Sequence, residues 1–408
     1  MPDHPSSLPL RLAAAALLAA ALAPAARAAA PSWPQPAYDA ARSSYNAGEK
    51  TLKPANVGGL LRVASGQLGF NATGQSVQGG GLVFACSDKY GLSATSQASR
   101  RFAWSGASIG GTCNVPVLGS GAGTLYATAW RLSGSQFVNT LSALDAASGG
   151  VRWQVLGPPD RALPDASWLT FNNPTFSGDA VYVSSGRSLV SSYDAATGAL
   201  RWRAETNFLN NEVAVADGLV FTSTWNQEGG PQNLLFAHHA SDGTLAWSQP
   251  LDASNAEYPA IAAGGRVFAA SDSGAVRAFD ALTGTPRWSR TLAGYISANL
   301  AASAGAVYAV AGNTTLVALA PADGSTLWST TLQGNDRFAS NLVLAGGVLY
   351  GMTTDFGGIA YLVAFDARTG TPLLRLDDTL AGSFGQLAVA GGHVYLSLGG
   401  ALRVYGLR

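Results

Sequence analysis

Charged side chains, histidine and cysteine are scarce in this chain, and each shortage argues against a class of function. Only 12% of the 408 residues are charged, and 24 basic side chains balance 24 acidic ones. A neutral surface lacks the basic patches with which proteins attract nucleic acid, so no nucleic-acid partner is expected. Apart from one run near the N-terminus, no stretch is apolar enough to suggest a membrane span.

The four histidines are too dispersed to predict a metal site. One lies near each end of the chain, and the other two, His238 and His239, are adjacent. Adjacent side chains of a strand point to opposite faces of the sheet, so these two cannot share one ion. The chain also has no phosphate-binding loop and no Cys-x-x-Cys motif. No catalytic residue is assigned.

A nine-residue motif returns along the chain and predicts its fold. The clearest copy is DAATGALRW at residues 194–202. The copies recur every 40 to 50 residues or so, the period of a four-stranded propeller blade. Their final residues, the predicted blade anchors, are Trp104, Trp153, Trp202, Trp247, Trp288, Trp328 and, in a decayed copy, Leu374.

The chemistry of the motif fits a tight turn that leads into an outer strand. An Asp side chain bonds the backbone of the turn, and Gly supplies the positive φ that such a turn requires. The Trp that follows is expected to fill the gap between neighbouring blades, so its loss should cost about 3 to 5 kcal/mol.

Counting these units predicts an all-β, eight-bladed propeller. Three strands follow Leu374, and the chain then ends where a fourth should begin. Residues 60–67 supply an orphan strand that would complete the eighth blade and leave no free sheet edge. This shared blade has Ala64 at the anchor position, so ring closure is expected to be the weakest contact between blades.

The chain resembles exported bacterial proteins with quinoprotein-type (PQQ-like) repeats. The resemblance rests on the repeated motif and on a lead-in that contains Trp33-Pro34-Gln35, Tyr38-Asp39 and the stretch 52–60. It implies an eight-bladed propeller but no particular activity, because the family includes alcohol dehydrogenases and non-catalytic, BamB-like outer-membrane assembly factors. The predicted organisation is a signal peptide at 1–28, a lead-in segment at 29–59 and a propeller at 60–408.

The N-terminal stretch has the three regions of an export signal. Arg11 precedes the apolar run 12–23, which is too short to span a bilayer, and Ala26-Arg27-Ala28 offers a cleavage site. No cysteine lies near that site, so the product is expected to be periplasmic or secreted without a lipid anchor. Export in turn favours a disulfide between Cys86 and Cys113, which fall on one face of adjacent blades; the alternative is two separate buried thiols.

A polar residue starts the innermost strand of nearly every unit and predicts a polar ring at one mouth of the central channel. The ring consists of Gln75, Asn114, Asn173, Glu212, Asn299, Asn341 and Gln386. The ring either binds a ligand or cofactor or, the favoured reading, satisfies backbone groups of neighbouring blades. Glu212 with Asn172, Asn173 or Asn211 is also a candidate set of oxygen ligands for calcium.

The long loops are expected on the same face as the ring, which makes that face the predicted binding surface. Aromatic and charged residues in these loops are the candidate partner contacts: Trp130, Arg131, Arg161, Trp168, Trp225 and Glu228. Such residues suit an interface. Equally, the indole rings could fold down and pack the loops.

The favoured function is a non-catalytic binding or scaffolding module of the envelope or extracellular space, acting as a monomer on a protein or polysaccharide partner. A quinone-dependent oxidoreductase of small alcohols or sugars is the first alternative, and a polysaccharide-binding propeller is the second. Quinoprotein alcohol dehydrogenases, which this fold resembles, use adjacent cysteines above the quinone, whereas Cys86 and Cys113 lie far apart. No cofactor is therefore expected, and PQQ with calcium is disfavoured.

Overall fold

The fold consists of eight β-sheets, each folded from consecutive strands except that β1 joins the sheet of blade 7 and β2 completes that of blade 8. A computed structural model describes residues 32–67, 76–87, 89–106, 109–133, 136–157, 171–185, 189–206, 209–225, 233–251, 258–381, 385–398 and 400–408. Within these residues the helical content is limited to two short 3-10 turns, Val57–Gly59 and Ser120–Ala122. No helix in this part of the chain is long and apolar enough to cross a membrane.

The N-terminal strands β1 (Tyr45–Asn46) and β2 (Leu61–Gln67) precede the first four blades. Blade 1 contains β3 (Val77–Gly79), β4 (Leu82–Ser87), β5 (Gly91–Ser96) and β6 (Phe102–Ser105). Blade 2 contains β7 (Thr112–Cys113), β8 (Val117–Leu118), β9 (Thr124–Ser133), β10 (Gln136–Asp145) and β11 (Val151–Leu156). Blade 3 contains β12 (Thr175–Ser177), β13 (Ala180–Ser184), β14 (Leu189–Asp194) and β15 (Leu200–Glu205). Blade 4 contains β16 (Leu209–Asn210), β17 (Ala214–Ala216), β18 (Leu219–Trp225), β19 (Leu234–His239) and β20 (Leu245–Pro250).

The second half of the ring repeats this plan. Blade 5 contains β21 (Ile261–Ala263), β22 (Arg266–Ala270), β23 (Ala275–Asp280) and β24 (Pro286–Thr291). Blade 6 contains β25 (Ala301–Ala302), β26 (Val307–Ala311), β27 (Thr315–Leu319) and β28 (Thr326–Thr331). Blade 7 contains β29 (Arg337–Phe338), β30 (Val343–Ala345), β31 (Val348–Thr354), β32 (Ile359–Asp366) and β33 (Pro372–Ala381). Blade 8 contains β34 (Gln386–Ala390), β35 (His393–Leu398) and β36 (Ala401–Gly406).

The eighth blade is completed by the N-terminal strand β2, as predicted. β2 pairs antiparallel with β36, with Leu61 opposite Gly406 and Gln67 opposite Ala401. The strand order of this sheet is therefore β2-β36-β35-β34. The all-β, eight-bladed propeller inferred from the repeats is confirmed.

The contact surface between two neighbouring blades is called a seam here. In six of the seams the repeated Trp is the central residue. At every one of these seams the indole Nε1 donates to a backbone carbonyl in the next blade at 2.8–3.1 Å. The indole ring also lies against the turn Gly of that blade, where a Cβ would come within 3 Å of the ring. The same nine-residue motif therefore forms the turn of its own blade and supplies the packing contact with the neighbouring blade.

Cys86 of β4 and Cys113 of β7 form the predicted disulfide and join blades 1 and 2. Both residues are buried, within a cluster of apolar side chains that spans the same two blades. The bond therefore strengthens a seam that already has a Trp anchor, at Trp104.

The described part of the lead-in segment runs around the inside of the ring and contacts the innermost strand of every blade in order. The hydrogen-bonded pairs, from blade 1 to blade 8, are Trp33 with Gln78, Pro34 with Leu118, Gln35 with Phe176, Ala40 with Val215, Ala41 with Ala262, Ser43 with Ala302, Ser44 with Leu344 and Asn46 with Val389. Most of these bonds use backbone carbonyls. The lead-in segment therefore ties all eight blades together at the channel.

Candidate binding face and channel mouth

The strand starts of the polar ring and the hairpins between second and third strands share one face of the propeller, called the loop face here. Strand pairing places them together: Thr112 lies opposite Trp130 in blade 2, and Arg337 opposite Thr354 in blade 7. The inner-strand residues that bond the lead-in segment lie three residues beyond the ring residues in most blades, as Phe176 does beyond Asn173. At about 3.3 Å per residue, the lead-in segment lies about 10 Å below the polar ring.

The ring residues of blades 2 to 4 bond to one another across the seams. Asn114 Nδ2 donates to the carbonyl of Phe171, in blade 3, at 2.6 Å. Asn173 Oδ1 accepts the backbone N–H of Val115 at 3.0 Å, and its Nδ2 donates to Glu212 Oε1 at 3.0 Å. Asn173 therefore links blades 2, 3 and 4, as expected if the ring satisfies polar groups of neighbouring blades.

Below the ring, Glu212 meets a cation supplied by the lead-in segment. The Arg42 guanidinium lies 3.8 Å from Glu212 Oε2, and its side chain is only 5% exposed. Nearby, the half-buried Asp39 carboxylate accepts two hydrogen bonds from Ser43, at 2.9 Å from the backbone and 2.6 Å from the hydroxyl. Burial nevertheless raises the pKa of Asp39 above its ordinary value. This corner of the channel is a partly buried charge network, with Arg42 at its buried centre, and it fixes the lead-in segment to blade 4.

The rest of the predicted ring is less continuous. Asn341 Oδ1 accepts the backbone N–H of Leu387, in blade 8, at 3.1 Å. Asn299 and Gln386 are half-buried at the equivalent strand starts. Gln75 lies outside the described residues. Asn114, Asn173 and Asn341 each make a hydrogen bond that joins their own blade to the next one.

Three hydroxyl residues extend this network and were missed from the sequence. Thr128, Ser184 and Ser223 each lie two residues after the aromatic residue of a second strand, and each donates to a backbone carbonyl of the following blade at 2.7–3.0 Å. The same hydroxyls accept the amides of Asn114, Asn172 and Asn211. Their signal in the sequence is the polar residue at a fixed offset from that aromatic.

The proposed calcium ligands do not converge through their oxygen atoms. The side-chain nitrogen of Asn173 faces Glu212, while the amide nitrogens of Asn172 and Asn211 donate to Ser184 and Ser223. Among the described residues, no three or more His, Cys, Asp or Glu side chains group as a metal site would require. The chemistry of this site is hydrogen bonding between blades.

The predicted loop insertion at Trp130 is wrong in its secondary structure. β9 continues to Ser133 and β10 begins at Gln136, so Trp130 lies within an extended strand and is half-buried. The strand lengthens because its backbone stays paired with β10, with Trp130 opposite Asn139. Arg131 and Leu132 follow at the protruding end, and Leu132 is 60% exposed.

Blade 7 has a second protruding hairpin at residues 353–358, a stretch that the sequence predicts as a loop insertion on the binding face, although none of its residues was a candidate partner contact. Phe356 at its tip is 72% exposed, and the guanidinium of Arg337 lies 5.2 Å from its ring centre. The carboxylate of Asp355 accepts the backbone N–H of Ile359 and the hydroxyl of Tyr361, both at 3.0 Å. These bonds hold the pKa of Asp355 below its ordinary value and fix the shape of the hairpin.

The remaining predicted contacts cannot be assigned to a surface. Arg161, Trp168 and Glu228 lie outside the described residues. Trp225 ends β18, where its backbone pairs with Leu209. The described residues at the hairpin ends of the loop face are Arg131 and Leu132 in blade 2 and Arg337 and Phe356 in blade 7, which lie on the same face but in separate blades.

Comparison with solved structures finds the same architecture in proteins of different activity. Quinohemoprotein alcohol dehydrogenase from Comamonas testosteroni superposes with a TM-score of 0.70 at 15% identity, covering 92% of this chain and 80% of that one. BamB from Moraxella catarrhalis gives a TM-score of 0.62 at 19% identity, covering 86% of this chain and 98% of that one. At such identities the likeness concerns the fold alone.

Sequence comparison is more selective. The outer membrane protein assembly factor BamB of Yersinia pestis is 25% identical over 243 residues, or 55% of this chain and 60% of the relative. The chain thus spans about three fifths of that relative's length. The family model described as outer membrane protein assembly factor BamB matches residues 138–229 and 186–408, more than half of the chain. On this evidence, the protein belongs to the BamB family of PQQ-like repeat propellers.

Proposed function

We propose that this protein is a non-catalytic scaffold of the cell envelope that binds a protein partner through its loop face. The proposal rests on a contrast within the loop face between the residues at the channel mouth and those at the ends of the hairpins, called the rim here. Polar side chains of the channel bond neighbouring blades, whereas Leu132 and Phe356 are 60% and 72% exposed at the ends of two hairpins. The relative in Yersinia pestis is named as an assembly factor, which supports a role in protein assembly.

The composition of the rim suits a protein interface. Leu156 is 66% exposed at the end of β11, level with the start of the inner strand, and Tyr295 is 49% exposed beside blade 6. Arg131 and Arg337 accompany the apolar tips on the same face. Aromatic residues, Leu and Arg at an exposed rim provide apolar anchors with directional hydrogen-bond donors, as protein interfaces do.

A quinone-dependent reaction fits these residues poorly. The two cysteines form a disulfide within the seam between blades 1 and 2 instead of an adjacent pair over the channel. Glu212 is engaged by Asn173 and Arg42, and the lead-in segment lines the inner strands below the ring. We therefore derive no catalytic step for this chain.

Site-specific photo-crosslinking in the envelope tests the proposed face. A photoreactive phenylalanine analogue at position 132 or 356 should capture one and the same partner. The matched control is position 282, because Leu282 is 64% exposed in a turn on the opposite face. Equal capture from 282, or none from 132 and 356, contradicts the loop-face proposal.

The absence of catalysis has its own test. Calorimetric titration of the folded protein with pyrroloquinoline quinone and calcium should give no saturable heat, and dye-linked oxidation of ethanol or glucose should stay at the level of the buffer. Stoichiometric binding with turnover would make the channel mouth an active site and would replace the scaffold proposal.

A further inference from the structure

Six seams of the propeller enclose an indole ring in the same way. In each, the Trp ring centre lies 5.8–6.0 Å from that of an aromatic residue on the second strand of its own blade. Its Nε1 donates to a turn carbonyl of the next blade, as Trp153 does to Ala195. Its face lies against a turn Gly, as with Gly198. These six seams define the surroundings of an indole ring bound between two blades.

The seam between blades 8 and 1 keeps the surroundings of this site but lacks the indole. Ala64 occupies the anchor position: it pairs with Val404 directly after a bulge, as Trp202 pairs with Ser192. The turn of blade 1 has Arg100 where the other turns have Gly, and Arg100 adopts the same left-handed backbone at φ 59°. The Trp–Gly pair of six seams is replaced here by Ala and Arg.

A cavity of about 300 Å³ occupies this seam. Its lining includes Tyr395, Gln97 and Arg100, the counterparts of the aromatic residue, the turn carbonyl and the turn Gly that surround each indole elsewhere. Val404, the strand partner of Ala64, also lines it. Leu402 and His393 complete the wall on the side of blade 8. A cavity of this size is at the lower end of the range of small-molecule sites, with room for one bicyclic ring.

Arg100 gives the cavity a cationic edge. Its Nε donates to the carbonyl of Gln97 at 2.7 Å, the counterpart of the carbonyl that accepts the indole N–H in other seams. Within the described residues its terminal nitrogens Nη1 and Nη2 have no acceptor among the hydrogen bonds and ion pairs of the protein. A guanidinium with two such nitrogens matches a carboxylate in geometry and charge.

We propose that the seam between blades 8 and 1 is a binding site for a free, planar aromatic carboxylate of the size of an indole. The ring takes the place that Trp fills in six other seams, between Tyr395 and the turn of blade 1. The carboxylate pairs with Arg100 at the rim. This site is separate from the loop-face partner site and stands whether or not that proposal holds.

Calorimetry with indole-3-acetate and with indole tests the site on the full chain. The acid should bind saturably with one-to-one stoichiometry and about fivefold more tightly than indole, a ratio typical of one partly exposed charge pair. Arg100→Gly keeps the left-handed turn and should remove this difference. The double variant Ala64→Trp with Arg100→Gly rebuilds the pattern of the other seams, fills the cavity from within and should bind neither compound.

Two results would overturn the proposal. One is an absence of saturable binding to the unaltered protein; the other is a double variant that is folded by circular dichroism and still binds the acid with unchanged affinity. If the double variant does not fold, Arg100→Gly alone decides, because unaltered affinity for the acid in that variant contradicts the assigned site.

Discussion

Trp153 of blade 2 lies flat against Gly198 of blade 3, so closely that a Cβ on Gly198 would be 2.6 Å from the indole ring. The same Gly has φ +75°, a backbone conformation that disfavours any other residue. The Gly of the turn therefore meets two requirements at once: the turn needs its φ, and the neighbouring blade needs its missing side chain.

Gly198→Ala and Gly178→Ala separate these two requirements. Gly178 has φ +63° but no atom within 4 Å of a built Cβ, so its substitution imposes only the backbone cost, about 1 kcal/mol. Gly198→Ala adds overpacking against Trp153 and should cost about 2 to 4 kcal/mol in total. Urea unfolding of both variants measures the difference; equal losses would mean that the indole shifts freely and does not anchor the seam.

Three turns should make the propeller sensitive to acid. Arginine side chains pair with Asp145, Asp194 and Asp280 at 2.7 Å and hold the pKa of each carboxyl at about 2, below the ordinary 3.8. Because the folded pKa is lower than the unfolded one, the stabilisation is present above about pH 4 and is lost as the pH falls toward 2.

The triple variant Asp145→Asn, Asp194→Asn, Asp280→Asn keeps the acceptor oxygen of each turn but removes the titrating charge. Its free energy of unfolding should fall less steeply between pH 4 and 2 than that of the unaltered protein. Thermal unfolding across this range, at low and high salt, measures the slope. Parallel slopes for the two proteins would assign acid sensitivity to other groups, and high salt should narrow any difference.

The features predicted correctly from the sequence are local and periodic. Asp194, Gly198 and Trp202 act within one turn and one strand, so their spacing alone indicates the blade. The shared blade followed from counting strands, since an orphan at residues 60–67 had only one place to pair. The disulfide followed from the positions of Cys86 and Cys113 in their blades.

What the sequence did not reveal depends on backbone groups or on pairing over distance. The lead-in segment contacts the blades chiefly through carbonyls such as those of Ala40 and Ser43, which leave no pattern of side chains. Trp130 was assigned to a loop because β9 runs for ten residues, twice the length of the second strands of blades 5 and 6. Phe356 is a single exposed aromatic, and its exposure is decided by the length of the hairpin that carries it.

Loss of the disulfide should weaken the seam between blades 1 and 2 without dissolving the fold. Cys86 and Cys113 are 27 residues apart, for which constraint of the unfolded chain predicts a loss of about 3.5 kcal/mol. Trp104 still anchors this seam. The measurement is chemical unfolding of Cys86→Ser/Cys113→Ser beside the unaltered protein with and without reductant. A reduced protein as stable as the oxidised one would contradict the stabilising role.

Glu212→Ala should destabilise the protein while leaving the loop face able to bind. The substitution removes the carboxylate that faces the Arg42 guanidinium and the acceptor used by Asn173. A buried cation without its carboxylate typically costs about 3 kcal/mol, and that loss should appear in urea unfolding. Adding Arg42→Met removes the stranded charge and should restore part of the stability, because the two losses share one cause. Photo-crosslinking from position 356 should proceed in both variants. If Glu212→Ala instead leaves stability unchanged and abolishes the crosslink, the polar ring belongs to the partner site and the separation of channel and rim is wrong.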